Sequence, residues 1–178
     1  MDNILLSFSA CALMGISSSV SAEENAVGGV PLVVESFFDG KLDAHGVILT
    51  RGGKVRRSFN AVMQGAWEEK EGTLHGVLTE DFAFDDGEKL LRRWEFIKTA
   101  TGSYSGTASD VDGVASLAAS GNALRMDYDL KVPVSGKSII LNVEDWLWLM
   151  EPEVLVNKST MRKWGFRVGE IVTTILKK

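Results

Sequence analysis

From residue 31 onward the chain alternates apolar and polar residues in short runs broken by Gly, Asp, Asn and Ser, and no apolar stripe of helical period lasts long enough to build a major helix. The clearest run is Leu124 to Lys131, where every even position is apolar and every odd one charged, so one face is buried and the other wetted. Pro133 ends that strand and Gly136 supplies the reversal. Similar runs predict strands over about 42–50, 54–67, 72–84, 88–98, 103–109, 113–119, 138–150, 153–158 and 166–176, about ten in all, with a short helical turn near residues 159–164. Arg51-Gly52-Gly53-Lys54, Asp85-Asp86-Gly87-Glu88 and Ala100-Thr101-Gly102-Ser103 are Gly-containing turns of the kind that join antiparallel neighbours. The expected fold is therefore all-β, an antiparallel up-and-down β-barrel, which hides its strand edges by closing and leaves an interior able to hold one small ligand.

Residues 4–22 form an apolar run followed by small residues and then Glu23-Glu24, the outline of a secretory signal peptide. Val20-Ser21-Ala22 places small side chains one and three positions before a cut after Ala22, as the shallow pockets of a type I signal peptidase require. The n-region departs from the usual pattern, with Asp2 and no Lys or Arg. The apolar run is shorter than the ~20 residues that span a bilayer, which ranks a signal above a membrane anchor. Cys11, the only cysteine, follows Phe8-Ser9-Ala10, an imperfect lipobox at which lipid attachment would retain the acylated cysteine. A chain cut after Ala22 has no cysteine, hence no disulfide and no thiol nucleophile. The expected organisation is a signal segment over 1–22, a linker over 23–30 and one barrel domain over 31–178.

A formal charge of -5 argues against nucleic acid as a partner, because phosphate binding needs an excess of Lys and Arg. Two histidines, His45 and His75, cannot alone supply the three ligands of a catalytic zinc, and no metal or cofactor is expected. No Gly-x-Ser-x-Gly elbow, phosphate loop or dinucleotide fingerprint occurs, so no catalytic residue is assigned. The densest acidic patch, Asp81, Asp85, Asp86 and Glu88, reads as turn chemistry more readily than as a glycosidase carboxylate pair.

Strand parity singles out a different set. Arg92, Trp94 and Phe96 share one face of their strand, and Ile139, Leu141, Val143, Asp145, Leu147 and Leu149 share an almost wholly apolar face of another. A charge on a core-facing row costs several kcal/mol unless paired or hydrated, so Asp145 is expected to meet an inward arginine such as Arg92. Trp94, Phe96, Met126 and Tyr128 would then line an apolar cavity, with Arg92 and Asp145 at its polar end. Core packing accounts for the same residues without a ligand.

Phe37-Phe38-Asp39-Gly40-Lys41-Leu42, Arg51-Gly52-Gly53-Lys54-Val55, Asp85-Asp86-Gly87-Glu88, Gly121-Asn122-Ala123-Leu124-Arg125, Glu144-Asp145-Trp146 and Lys163-Trp164-Gly165-Phe166-Arg167-Val168-Gly169-Glu170 together resemble the bacterial family catalogued as domain of unknown function 3833, over about Val34 to Lys178. The resemblance implies an exported, often lipid-anchored protein of Gram-negative bacteria with a lipocalin-like (calycin-type) barrel, in the periplasm or on the periplasmic face of a membrane. It implies no activity. Met126 stands where the family often has an aromatic residue.

The leading expectation is thus an exported monomeric barrel that binds or carries a small hydrophobic ligand such as a lipid or fatty acyl chain, touching membrane only through its signal segment or a lipid anchor. Two alternatives remain open: an enzyme acting on a lipid through buried Asp and Arg groups, and a filled structural or interaction barrel of the envelope. The export reading predicts an envelope form that begins at Glu23 or at an acylated Cys11, distinguishable by intact mass. Full-length protein starting at Met1 in the cytoplasm would contradict both.

Overall fold

The computed structural model describes residues 21–134 and 136–178; Cys11 and the export segment up to residue 20 lie outside the described residues. A single-turn helix, α1 (Val34–Phe37), precedes β1 (Gly40–Thr50), β2 (Val55–Lys70), β3 (Thr73–Phe84), β4 (Lys89–Ala100), β5 (Ser103–Ala108), β6 (Val111–Ser120), β7 (Ala123–Val134), β8 (Lys137–Glu151), β9 (Val154–Lys163) and β10 (Phe166–Lys177). Each strand pairs antiparallel with its neighbours in sequence, and β1 pairs with β10 from Leu42↔Lys177 to Thr50↔Gly169, which closes the barrel.

The alternation read from the sequence decides which residues face inward. Leu124, Met126 and Tyr128 of β7 are buried, as are Leu141, Val143, Leu147 and Leu149 of β8 and Trp94 and Phe96 of β4. The helical turn expected near residues 159–164 is absent. β9 runs straight through to Lys163, because Ser159 and Met161 are paired on both sides, Ser159 with Asp145 and Ile171. Trp164 and Gly165 then make a two-residue hairpin turn with φ of 51° and 81°.

One end of the barrel is plugged. Leu32, Val34, Phe37 and Phe38 are buried against the strand ends, and Phe37 and Phe38 pack edge to face at 5.1 Å. Polar contacts pin the plug from two sides. Glu35 accepts from Lys98 of β4 and the Tyr104 hydroxyl of β5, while the Lys177 ammonium donates to the carbonyls of Ser36, Phe37 and Asp39 at 2.6, 3.0 and 2.7 Å, satisfying acceptors that the end of α1 leaves free. Residues 23–30, expected as a linker, lie along the same end: the Val27 N–H donates to Asn122 Oδ1 at 3.0 Å and Trp148 Nε1 to the Asn25 carbonyl at 3.0 Å.

Gly65 is what lets the plug seat. A Cβ at that position would lie 1.6 Å from the Phe38 carbonyl oxygen, so the plug backbone rests directly on β2. Gly65→Ala is expected to displace the plug and cost about 2 kcal/mol or more, read as a lower melting temperature with the β spectrum retained. Gly52→Ala, in open space, should shift stability by no more than about 0.5 kcal/mol.

Candidate functional site

Next to the plug the interior is apolar and aromatic. Trp67, Phe96 and Trp94 form a run of near-parallel rings, with centroids 6.1 Å apart for Trp67–Phe96 and 5.6 Å for Trp94–Phe96. The run fits because a Cβ on Gly76 would lie 2.6 Å from the Trp67 ring, so only glycine allows that indole to lie on β3. Tyr128 meets Trp94 edge-on at 5.4 Å. A cavity of about 100 Å³ remains between Trp67, Trp94 and Phe96 and Val34, Phe38, Met63, Leu78 and Met126, with Glu80 and Asn157 among its walls; Tyr128, Arg92 and Asp145, expected there from parity, lie outside its lining.

Past Trp94 the interior becomes polar. The inward rows of β3, β4, β7, β8 and β9 deliver Glu80, Arg92, Tyr128, Asp145, Asn157 and Ser159, and the β5–β6 turn adds Asp110. Arg92 donates through Nε and Nη2 to Asp110 Oδ2 at 2.9 and 2.7 Å, and its Nη1 lies 3.8 Å from Glu80 Oε2. The Tyr128 hydroxyl donates to Asp145 Oδ2 at 3.2 Å. Asp145 is half-buried as a residue, yet its Oδ1 is shielded from solvent and takes no hydrogen bond; Glu80 Oε2 and Asp110 Oδ1 are in the same position. Phe59, Phe82 and Phe84 cover the layer on the far side, Phe59 meeting the other two at 5.4 and 5.8 Å.

One guanidinium therefore holds Asp110 and lies near Glu80, while Asp145 is met by the Tyr128 hydroxyl. Burial pushes the Glu80 carboxyl up; the Arg92 charge and the Trp94 hydrogen bond pull it back, nearby Asp145 and Asp110 oppose that pull, and the result lies at about 7. Burial also raises Asp145, against the nearby polar groups of Ser159, Tyr128 and Asn157 and the Arg92 charge. Burial raises the Tyr128 phenol well above its ordinary value, so it stays a donor. Burial alone would lower Arg92, but Glu80 and Asp110 hold it charged.

The sequence matches the family model described as "Protein of unknown function (DUF3833)" over residues 10–177. The chain belongs to the DUF3833 family. No curated protein matches the sequence. The fold is shared with the S-type phycobiliprotein lyase CPES from Guillardia theta, at a TM-score of 0.61 and 11% identity, over 83% of this chain and 93% of that one. Two further similar structures are mFAP2b bound to DFHBI (TM-score 0.43, 8% identity, 80% and 95% covered) and a de novo designed fluorescence-activating β-barrel (0.41, 10%, 83% and 99%). This DUF3833 chain is thus a closed, up-and-down, lipocalin-like barrel.

Within that barrel Arg92, Trp94, Phe96, Met126, Tyr128 and Asp145 all face the interior, as parity predicts. The pairing differs. Arg92 is engaged by Asp110 and approached by Glu80 rather than joined to Asp145, because Glu80 stands directly opposite Arg92 in the β3–β4 register. Glu80 carries the signal already used for Asp145, a single charge in the row Leu78, Glu80, Phe82; Asp110 sits in a turn, where no parity marks it. Asp81 faces solvent, Asp86 and Glu88 pair with Arg57 across the β3–β4 turn, and His45 contacts Asn60 on the outer wall, Nδ1 to Oδ1 2.7 Å. Among the described residues no group of three or more His, Cys, Asp or Glu side chains is placed to hold a metal ion.

Since folded Glu80 holds its proton to about pH 7 and an unfolded glutamate releases it near 4.5, the folded state binds more protons in that window. Stability should fall as pH rises from about 4.5 to about 7, by on the order of 3 kcal/mol. Glu80→Gln keeps the shape of the protonated carboxyl and should flatten most of this slope, making the variant the more stable protein at pH 8 in denaturant unfolding.

Proposed function

We propose that this barrel is a small-molecule binder that holds an elongated, mostly apolar ligand in its interior, with a hydrogen-bond-donating or cationic head group on the Glu80, Asp110 and Asp145 carboxylates. The observation that carries the reading is the set of three shielded carboxylate oxygens without hydrogen bonds, Glu80 Oε2, Asp110 Oδ1 and Asp145 Oδ1, of which Glu80 belongs to the wall of the aromatic-lined cavity. Buried acceptors left unpaired are costly, and a ligand donor relieves that cost.

This changes the head group expected from sequence. Arg92 is already held by Asp110, and the interior carries more carboxylates than cations, so a fatty acid's carboxylate would meet net negative charge. A lipid with an alcohol, amide or amine head suits the same geometry, its chain lying along Trp94, Phe96 and Met126. The free volume of about 100 Å³ is below the roughly 300–1,000 Å³ of sites that enclose a drug-sized ligand, so a long chain takes the space of Val34 and Phe38 in the plug. The outline of residues 4–22 supports a place of action outside the cytoplasm, and one closed core supports a monomer.

The test is a matched series of dodecylamine, dodecanol and dodecanoate, followed by tryptophan fluorescence. Saturable changes are expected for the amine and the alcohol, with affinity for the carboxylate at least about tenfold weaker at pH 8. Asp145→Asn should reduce the amine's advantage over the alcohol. A preference for the carboxylate would overturn the head-group assignment, and no response to any of the three would favour the filled barrel.

A further inference from the structure

The two ends of the barrel differ in charge and in exposed aromatic side chains. At the end opposite the plug, the tips of the β7–β8, β9–β10 and β1–β2 hairpins stand side by side, because β8 pairs with β9 and β10 with β1. Arg167 ties two of the tips together, donating through Nη2 to the Arg51 carbonyl at 3.2 Å, and Lys163 reaches the third, donating to the Ile140 carbonyl at 2.7 Å. Residues 50–56, 131–140 and 161–168 contain eight Lys and Arg and no Asp or Glu, in a chain whose formal charge is -5. The rest of the rim is acidic, with Asp85, Asp86 and Glu88 on the β3–β4 turn. The plugged end is acidic too, with Glu68, Glu69 and Glu71 on one turn and Glu151 and Glu153 on another.

The basic arc also carries bare aromatic side chains. Trp164 is 86% exposed and Phe166 67%, and Val55 on the adjoining tip is 55% exposed. Trp164 occupies the first central position of its two-residue turn at φ 51°, a left-handed backbone in which Asn or Gly would rest without strain and a bulky aromatic residue does not. Among the described residues its ring meets only the Lys163 ammonium, 5.3 Å from the centroid, a contact at an exposed site too weak to account for a strained, solvent-facing tryptophan, which points to a use outside the fold. Protruding Trp and Phe among Lys and Arg is the composition that seats at the boundary between lipid head groups and acyl chains.

We propose that this rim docks on the surface of an anionic phospholipid bilayer, with Trp164 and Phe166 inserted at head-group depth and the basic residues of the three tips against the lipid phosphates. The opposed acidic pole turns the molecule so that the rim faces the membrane. A protruding tip without a concave seat suits a soft lipid surface better than a folded partner. This contact is additional to any made by the N-terminal segment, and it holds whether or not the interior carries a ligand.

The full chain is mixed with vesicles of equal parts phosphatidylglycerol and phosphatidylcholine, or of phosphatidylcholine alone, carrying bromine on the acyl chains. Bromine quenches only tryptophan that has entered the bilayer, so the difference between wild type and Trp164→Asn reports this tip even if residues 1–20 also bind lipid. Quenching of Trp164 is expected on the anionic vesicles, reduced at least fivefold on phosphatidylcholine and by 0.5 M salt. Lys54→Glu with Lys137→Glu should reduce it similarly. Trp164→Asn should lose the quenching yet melt no lower than wild type, since it removes strain. Quenching that is the same in wild type and Trp164→Asn, or equal on both vesicles, would overturn the proposal.

Discussion

The pairing of β1 with β10 is the contact on which everything else depends. Without it the sheet would present two long edges of unpaired N–H and C=O groups; with it every strand has two neighbours, and every second side chain is committed to an enclosed interior. Enclosure is what gives the inward residues their chemistry. A glutamate on an outer wall is an ordinary acid, whereas Glu80 on an inner row holds its proton close to neutrality.

The interior is layered along the barrel axis. The plug and the stacked rings of Trp67, Phe96 and Trp94 form the apolar part, and the carboxylates with Arg92 form the polar part, beneath a lid of three phenylalanines. Arg92 stabilises the arrangement and leaves it incomplete, since one cation cannot satisfy six carboxylate oxygens. A protein selected only for a packed core would have little reason to keep Glu80 and Asp145 there.

Strand positions, turn positions and the inward parity of Arg92, Trp94, Phe96, Met126, Tyr128 and Asp145 were legible because each follows from a period of two along one segment. The pairing of Arg92 was not, since it depends on how β3 and β4 align and on a turn residue, Asp110, that belongs to no alternating row. Nor was the plug: a four-residue helix leaves no periodic trace, and its anchors Lys98, Tyr104 and Lys177 are far away in sequence. The helical turn expected near residues 159–164 failed because cross-strand pairing to β8 and β10, which no local pattern shows, holds that segment extended up to the Trp164-Gly165 hairpin.

Joining the first strand to the last also sets an order of events. Leu42 can meet Lys177 only after the whole intervening meander has been made, and that pairing carries the greatest loop-closure cost in the molecule. The anchor that fastens α1, the Lys177 ammonium, arrives at the same late moment, so plug and seam form together. Hairpins can assemble on the way, but the growing chain remains an open, threadable ribbon until its final strand is present, and the enclosed chamber comes into being in a single closing step.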